Sequence, residues 1–400
     1  MNTPHRQWQP VRFSPPPARK AAIEPVPDAE SVLDAESVLN IEQLLDRVAS
    51  AVGDVPALLA IAQQAGRSAP MPGGGRTARL WELLASVAAV DVAAARVLEP
   101  HLDAGAILSQ AGTSETFKGS WGVYAAEAPG TRLTAEPVTE PATEQGPEQG
   151  EAEPGKTPGD VQLSGSKPWC SLAQFVDHAV VTAHTGTGRA AFTVDLRAAG
   201  VTCDVPEWTS RGLREIPSGT VHFDRVPAVP LGGDGWYFQR PGFAWGGMGV
   251  AACWLGGAVA LGRHFEAALL RGARSQREPD QVALAALGEV DRILASTLQY
   301  LARAADAVDA APQPASGGAE PNGGGAVGAW SEALRVRGTV AAAVERVQLL
   351  VSQNLGPGPL AFDERYGKCM ADLSLYVRQH HATRDDAQLG ALTLTGEHAW

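Results

Sequence analysis

Cysteine is scarce in this chain: Cys170, Cys203, Cys253 and Cys369 are the only four among 400 residues. They lie far apart, with no C-x-x-C pair and no metal-ligand spacing, so they read as small core thiols of a reduced protein and no metal site is expected. Long basic runs are missing too, and the formal net charge of −12 disfavours a partner with a phosphate backbone. The start, MNTPHRQWQPVRFSPPPARKAA, is polar and Pro-rich and lacks the apolar region of a signal peptide. The longest apolar stretch, 248–261, is too short to span a bilayer. Neither nucleic acid nor membrane is expected as a partner, and the location expected is cytoplasmic.

What is there is a helical chain with one β-rich section, long enough for two or three domains. Residues 1–27 read as a disordered tail, and 28–112 as an N-terminal α domain. The latter opens on the duplication DAESVL-DAESVL at 28–39 and carries helices at about 37–66 and 77–99, the second ended by Pro100. After Gly112 two-residue alternation appears at 161–163, 178–183, 190–196, 201–205 and 220–226, which makes 113–235 an antiparallel β domain. Within it 134–160, rich in Pro, Glu and Gly, reads as a flexible insertion. Four amphipathic helices follow, at about 241–273, 280–310, 329–354 and 364–386, with a Gly/Pro-rich loop at 312–328. They predict an up-down four-helix bundle over 236–390, followed by a tail at 391–400.

The densest chemical signal in the β section is Leu163-Ser-Gly-Ser-Lys-Pro-Trp-Cys-Ser171: a strand, a tight turn at Gly165, then a Trp followed by a hydroxyl residue. A buried Trp beside a hydroxyl at a strand end can wall a flat aromatic ligand and hydrogen-bond its polar edge. The same Trp can also simply fill a β core.

The α-β-α order together with Lys167-x-Trp169-x-Ser171 resembles the acyl-CoA dehydrogenase superfamily, over about 75–390. The fold class that follows is α+β: an N-terminal helical domain, a middle antiparallel β-barrel or sandwich, and a C-terminal four-helix bundle. Family members carry a Gly-x-Lys-x-Trp-Ile-Thr-type segment whose Trp and hydroxyl lie against the flavin, so the resemblance gives those roles to Trp169 and Ser171. Val221-His-Phe-Asp-Arg-Val-Pro-Ala-Val-Pro230 is similar to the family's closing strand, and the small-residue run Gly246 to Gly262 to its first bundle helix. That run contains no G-x-G-x-x-G, and its glycines imply close helix approach, not a phosphate loop. An Arg past that helix reaches the flavin diphosphate of a neighbouring subunit in the family, and Arg274 stands there; a solvated helix-end Arg is the other reading. Gln353-Asn-Leu-Gly-Pro-Gly358 resembles a cofactor-touching turn, which nominates Gln353 and Gly356, although a helix stop and an ordinary turn fit as well. Ala125-Ala-Glu-Ala-Pro-Gly-Thr131 stands where the family's phosphate-side signature belongs, and matches it poorly. The implied cofactor is FAD, the implied substrate an acyl-CoA-like small molecule, and the implied assembly a homodimer or homotetramer.

The family's α,β-dehydrogenation needs a carboxylate to take the α-proton while the flavin accepts the β-hydride. Both usual homes of that Glu are empty here. No Tyr-Glu-Gly-Thr turn occurs, and 243–261 contains no acid. His380 falls at the first of these positions, beside His381, and an imidazole can act as a base near neutral pH. These two histidines are the catalytic candidates; a polar helix end, where His suits the helix dipole, is the alternative. Three functions follow: an FAD-dependent dehydrogenase, a flavin-dependent monooxygenase using His380 or His381, and a non-catalytic homologue that binds or scaffolds.

Overall fold

The structure, a computed structural model, describes residues 8–13, 40–138, 161–204, 208–275, 278–311, 324–398 and 400. The duplication at 28–39 and most of the insertion, 139–160, lie outside the described residues. The start of the insertion does not: β2 runs through Leu133–Pro137. Of the expected disordered tail, 8–13 is docked, with Val11 and Phe13 each 2% exposed and the Val11 amide donating to the Ser86 hydroxyl.

Each of the first two expected helices is two helices, and in both cases an Asp makes the break. Asn40 caps α1 (Ile41–Ser50) and Asp54 caps α2 (Val55–Gly66), each through its side-chain oxygen. Likewise Asp91, in extended backbone, ends α3 (Thr77–Val90) and caps α4 (Val92–Gln110) by accepting from the Ala94 amide at 2.8 Å. Such a cap is worth about 1 kcal/mol. Pro100 does not end a helix; it sits inside α4. Its ring removes only the N–H that would reach the Arg96 carbonyl, and burial of Val97, Leu98, Ala104, Ile107 and Leu108 outweighs that loss.

The β section comprises β1 (Trp121–Tyr124), β2, β3 (Val161–Ser171), β4 (His178–His184), β5 (Arg189–Asp195), β6 (Val201–Cys203) and β7 (Ser218–Leu231). The order β4-β2-β3-β7-β5 closes on itself through the β4–β5 ladder, with β1 on β4 and β6 on β7. It is a five-stranded barrel and not purely antiparallel: β1 runs parallel to β4, and β2 meets β4 in parallel at Thr134↔His184. Gly165 is no turn. It lies in β3 opposite Leu133 and Phe223, at φ +115°, where a Cβ would sit 2.2 Å from the Arg132 carbonyl oxygen. β3 has a second irregularity between Lys167 and Cys170, where Pro168 has no N–H to give the ladder.

After the short α5 (Trp236–Gln239) come three long helices, α6 (Pro241–Arg274), α7 (Gln281–Ala310) and α8 (Gly324–Leu355). α6 is the centre, packed on α3, α4, α7 and α8. At Gly256 the crossing with α3 is closest: a Cβ there would lie 2.1 Å from the Ala85 carbonyl oxygen. By length and composition α6 could cross a membrane, contrary to the reading of its apolar core alone, but 78% of its most apolar window is buried. The expected fourth helix is broken. α9 (Pro357–Phe362), α10 (Glu364–Tyr376), a 3₁₀ turn (Val377–Gln379) and α11 (Thr383–Leu394) replace it, and α11 runs into the expected tail.

Candidate functional site

The bulge in β3 decides where its side chains go. Lys167 and Pro168 are both buried, so alternation slips by one and Trp169 emerges 59% exposed at φ 59°. A bulky residue in the left-handed region is strained by roughly 1–2 kcal/mol. The expectation of a buried Trp is therefore corrected: its indole is an open face. Lys167 points inward, its Nζ 2.8 Å from Glu127 Oε1 and 2.9 Å from the Thr182 hydroxyl. Two residues past Trp169, the Ser171 hydroxyl lies 2.7 Å from that of Ser218 and accepts from Arg96 Nη2 at 3.2 Å.

Arg96 begins a polar stripe on α4. Arg96, Glu99 and Asp103 share one face at three- and four-residue steps, and Arg96 Nη1 is 3.5 Å from Glu99 Oε2. The guanidinium also lies 5.8 Å over the Tyr376 ring. From α8, Arg337 donates to the carbonyl oxygens of Gly247 at 3.1 Å and Gln379 at 2.6 Å, and sits 5.0 Å over the Trp254 ring. Its bond to Gln379 fixes the residue before His380. Burial pushes the Glu99 carboxyl up to about 7, against the pull of Arg96, with Asp103 adding to the rise. The Asp103 carboxyl is likewise raised by burial.

His380 and His381 part company. His380 is 9% exposed, its Nε2 without a hydrogen-bond partner and 3.8 Å from Asp385 Oδ2. Burial holds its pKa below the usual histidine value, partly opposed by Asp385. His381 is exposed, and its Nδ1 pairs with Asp385 Oδ1 at 3.2 Å.

No family model matches the sequence, and no curated protein matches it. Solved structures do match. The nitrososynthase from Micromonospora carbonacea var. africana gives a TM-score of 0.69 at 18% identity, over 92% of this chain and 97% of that one. TdsC from Paenibacillus sp. A11-2, in complex with FMN and indole, gives 0.70 at 16%, over 91% and 96%. Glutaryl-CoA dehydrogenase from Mycobacterium smegmatis, in complex with FADH2, gives 0.65 at 14%, over 92% and 97%. This is the acyl-CoA dehydrogenase fold.

The remaining candidates belong to the helical part of the chain. Arg274 is exposed in the last turn of α6, Gln353 is exposed near the end of α8, and Gly356 joins α8 to α9 at φ 66°. Among the described residues, no hydrogen bond, ion pair or ring contact links Arg274 or Gln353 to Ser171 or His380. The sequence reading missed Arg96, Glu99, Asp103 and Arg337. A signal was present in Arg96-x-x-Glu99-x-x-x-Asp103, charges on the inward face of an otherwise apolar helix. Those two carboxylates line a narrow crevice of about 20 Å³ between α3, α4 and α6, with Trp81, Leu84, Leu102 and Trp245. Two larger grooves are elsewhere: one lined by the β section at Trp121, His178 and Pro227, and one between 8–9, α6 and α10 at Arg263, Arg271 and Arg365.

Proposed function

We propose that this chain is a flavin-dependent oxidoreductase acting on a small organic molecule, with the flavin ring system held against the end of β3. The observation that carries the reading is Trp169, an indole 59% exposed on a strained bulge two residues before a hydroxyl that already faces a guanidinium. An exposed aromatic face, the Ser171 hydroxyl and the Arg96 cation are the donor set a flat, electron-poor heterocycle with carbonyl edges requires. These residues fit a flavin. When bound, it would supply two-electron redox chemistry that no side chain here provides.

The chain's own part is to hold and to exclude. Trp169 covers one face of the ring, Ser171 donates to its polar edge, and Arg96 favours negative charge there. The FMN of the TdsC complex and the FADH2 of the glutaryl-CoA dehydrogenase complex leave both flavins in view. FAD is the choice if Arg274 and Gln353 of a second copy of the chain bind its diphosphate. A monooxygenase reading is favoured by one further observation, the buried and unpartnered His380 Nε2, which is free to donate to or accept from a bound oxygen species.

The experiment is flavin titration of the purified protein, followed by quenching of flavin fluorescence, with FMN and FAD in parallel and with Trp169→Gly beside the parent chain. Tight binding of one flavin, weakened in Trp169→Gly, is the expected result. A protein that stays colourless with either flavin would leave only the non-catalytic reading.

A further inference from the structure

Three polar side chains on the outer face of the barrel form a relay that the proposed flavin edge does not use. Ser166 of β3 and His222 of β7 are cross-strand partners, and the Ser166 hydroxyl lies 2.8 Å from His222 Nδ1. On the other side of His222 its partner is Thr202 of β6. Asp204, two residues on, continues that ladder by donating its amide to the Thr220 carbonyl at 2.8 Å. Asp204 therefore shares the face of Thr202 and His222, and its Oδ2 is 3.1 Å from His222 Nε2. Alternation fixes the outward direction, since Lys167, Val221 and Phe223, the chain neighbours of Ser166 and His222, are buried. Among the described residues, His222 is the only histidine bonded to both a hydroxyl and a carboxylate.

The carboxylate fixes the tautomer. Ionised Asp204 only accepts, so in the neutral ring the proton sits on Nε2 and Nδ1 is bare. The Ser166 hydroxyl must then donate to Nδ1. This is the arrangement of a nucleophile bonded to its base, with the base oriented by an acid. Stability does not account for the trio, because the His222 and Asp204 side chains are 45% and 51% exposed, and such pairs add little. The ladder holds the three in place, and Gln174 ties Asp204 further by donating to its carbonyl at 3.1 Å.

We infer that Ser166 is a nucleophile that takes the acyl group of small esters and passes it to water, with His222 as its base and Asp204 as the positioning residue. In the first half a bond forms between Ser166 Oγ and the acyl carbon as His222 Nδ1 takes the hydroxyl proton. The ester C–O bond then breaks, and the leaving alcohol receives that proton. In the second half water adds to the acyl carbon and gives its proton to His222 Nδ1. The bond to Ser166 breaks, the proton returns to Oγ, and the acid leaves. Arg132 supplies positive charge for the carbonyl oxygen. Its own carbonyl accepts from the Ser166 amide at 2.8 Å, and its guanidinium has no hydrogen bond or ion pair among the described residues. Its side chain is also longer than the strand spacing of about 4.8 Å. The hollow beside Asp204 is only about 10 Å³, too small to grip an acyl chain, so short acyl groups are the class that fits.

The test is hydrolysis of p-nitrophenyl acetate by the full chain, read as nitrophenolate absorbance. Beside it, peptides are analysed by mass spectrometry after treatment with diisopropyl fluorophosphate, which phosphorylates an activated serine and loses fluoride. Expected are an adduct on Ser166 and none on Ser164 or Ser171, with release falling about 100-fold in Ser166→Ala and in His222→Gln. Asp204→Asn should slow release less than His222→Gln does, and Asp204→Glu should restore part of it. Release at the parent rate in a folded Ser166→Ala, or an adduct spread evenly over the three serines, would overturn the assignment. Slower release in Arg132→Gln with the adduct still on Ser166 would support the role of that cation, and an unchanged rate would remove it. Among the described residues no bond links Ser166, His222 or Asp204 to Arg96 or Trp169, so flavin binding, read on the same preparations, can fail separately. A chain that binds flavin and leaves the ester intact sinks the nucleophile alone, and a colourless chain that hydrolyses it sinks the flavin alone.

Discussion

Arg96 Nη2 and the Ser171 hydroxyl meet at 3.2 Å, and this bond joins the charged stripe of α4 to the strand end that presents Trp169. Ser171 is tied down from three sides, since its carbonyl also accepts from the Tyr124 hydroxyl at 3.0 Å and its hydroxyl meets Ser218. One guanidinium therefore reaches the proposed flavin edge and the nearest buried carboxylate together.

Replacement of Arg96 by Ala should be felt at both ends. A hydrogen bond to a charged group is worth about 1.5–3 kcal/mol, so flavin affinity is expected to fall about 10- to 100-fold. Arg96 is the largest influence lowering the Glu99 pKa, so its loss moves that carboxyl further up, above about 7. Arg96→Lys keeps the charge and loses the fork, and should recover only part of the affinity. Fluorescence titration with flavin checks the first effect, and carbon NMR of labelled Glu the second.

Lys368 answers three carboxylates at once: Asp91 at 2.8 Å, Glu215 at 3.0 Å and Asp372 at 2.7 Å. Through Asp91 it reaches the α4 cap, through Glu215 the loop before β7, and through Asp372, which accepts from the Leu213 amide at 2.6 Å, the same loop again. Lys368→Met leaves these acids unpaired, at a cost of about 3–5 kcal/mol. Denaturant unfolding should show that loss at pH 8. It should shrink on acidification through pH 6, because the Asp372 carboxyl, raised to about 6 chiefly by burial, then becomes neutral without help from Lys368.

What could be read in the sequence and what could not divide along physical lines. The amphipathic stripes of α7 and α8 and the alternation of β4 and β5 are local, and the elements came out within a few residues of expectation. Pro100 misled because a proline's local penalty was set against burial that only the folded packing supplies. The break at 377–382 carries no Gly or Pro; the Gln379 carbonyl, accepting from Arg337 on α8, and the His381 amide, donating to Asp385 on α11, hold it. Trp169 was legible as a residue but not as an exposed one, since its exposure follows from a bulge opposite β7. Arg96, Glu99 and Arg337 come from helices about 240 residues apart at the extremes, and only the packing of α4, α6 and α8 makes them neighbours.

Gly256 sets how near α6 comes to α3. Its Cβ position lies 2.1 Å from the Ala85 oxygen and 2.7 Å from the Ala85 Cα, all atoms of a fixed helix and none of a movable side chain. Gly256→Ala must push the two helices apart, so a loss of at least about 3 kcal/mol is expected despite the better helix propensity of Ala. Gly288→Ala, on α7 with nothing near its Cβ position, is the control and should gain up to about 1 kcal/mol. Thermal unfolding of the pair separates the crossing from the propensity.

Glu99→Gln should make the protein more stable, in a way that depends on pH. The folded pKa of about 7 lies above the ordinary value of 4.5, so the folded state prefers the protonated form. For such a group, stability is greatest below about 4.5, is lost as pH rises towards about 7, and stays lost above. The amide never ionises and escapes this loss. At pH 5 the variant and the parent should unfold within about 1 kcal/mol of each other, and by pH 8 the variant should lead by an amount on the order of 3 kcal/mol. The lost attraction to Arg96 trims this gain without reversing it, because burial is the larger effect. Urea midpoints at the two pH values measure the difference, and a gap that does not change with pH would show that Glu99 does not titrate in this range.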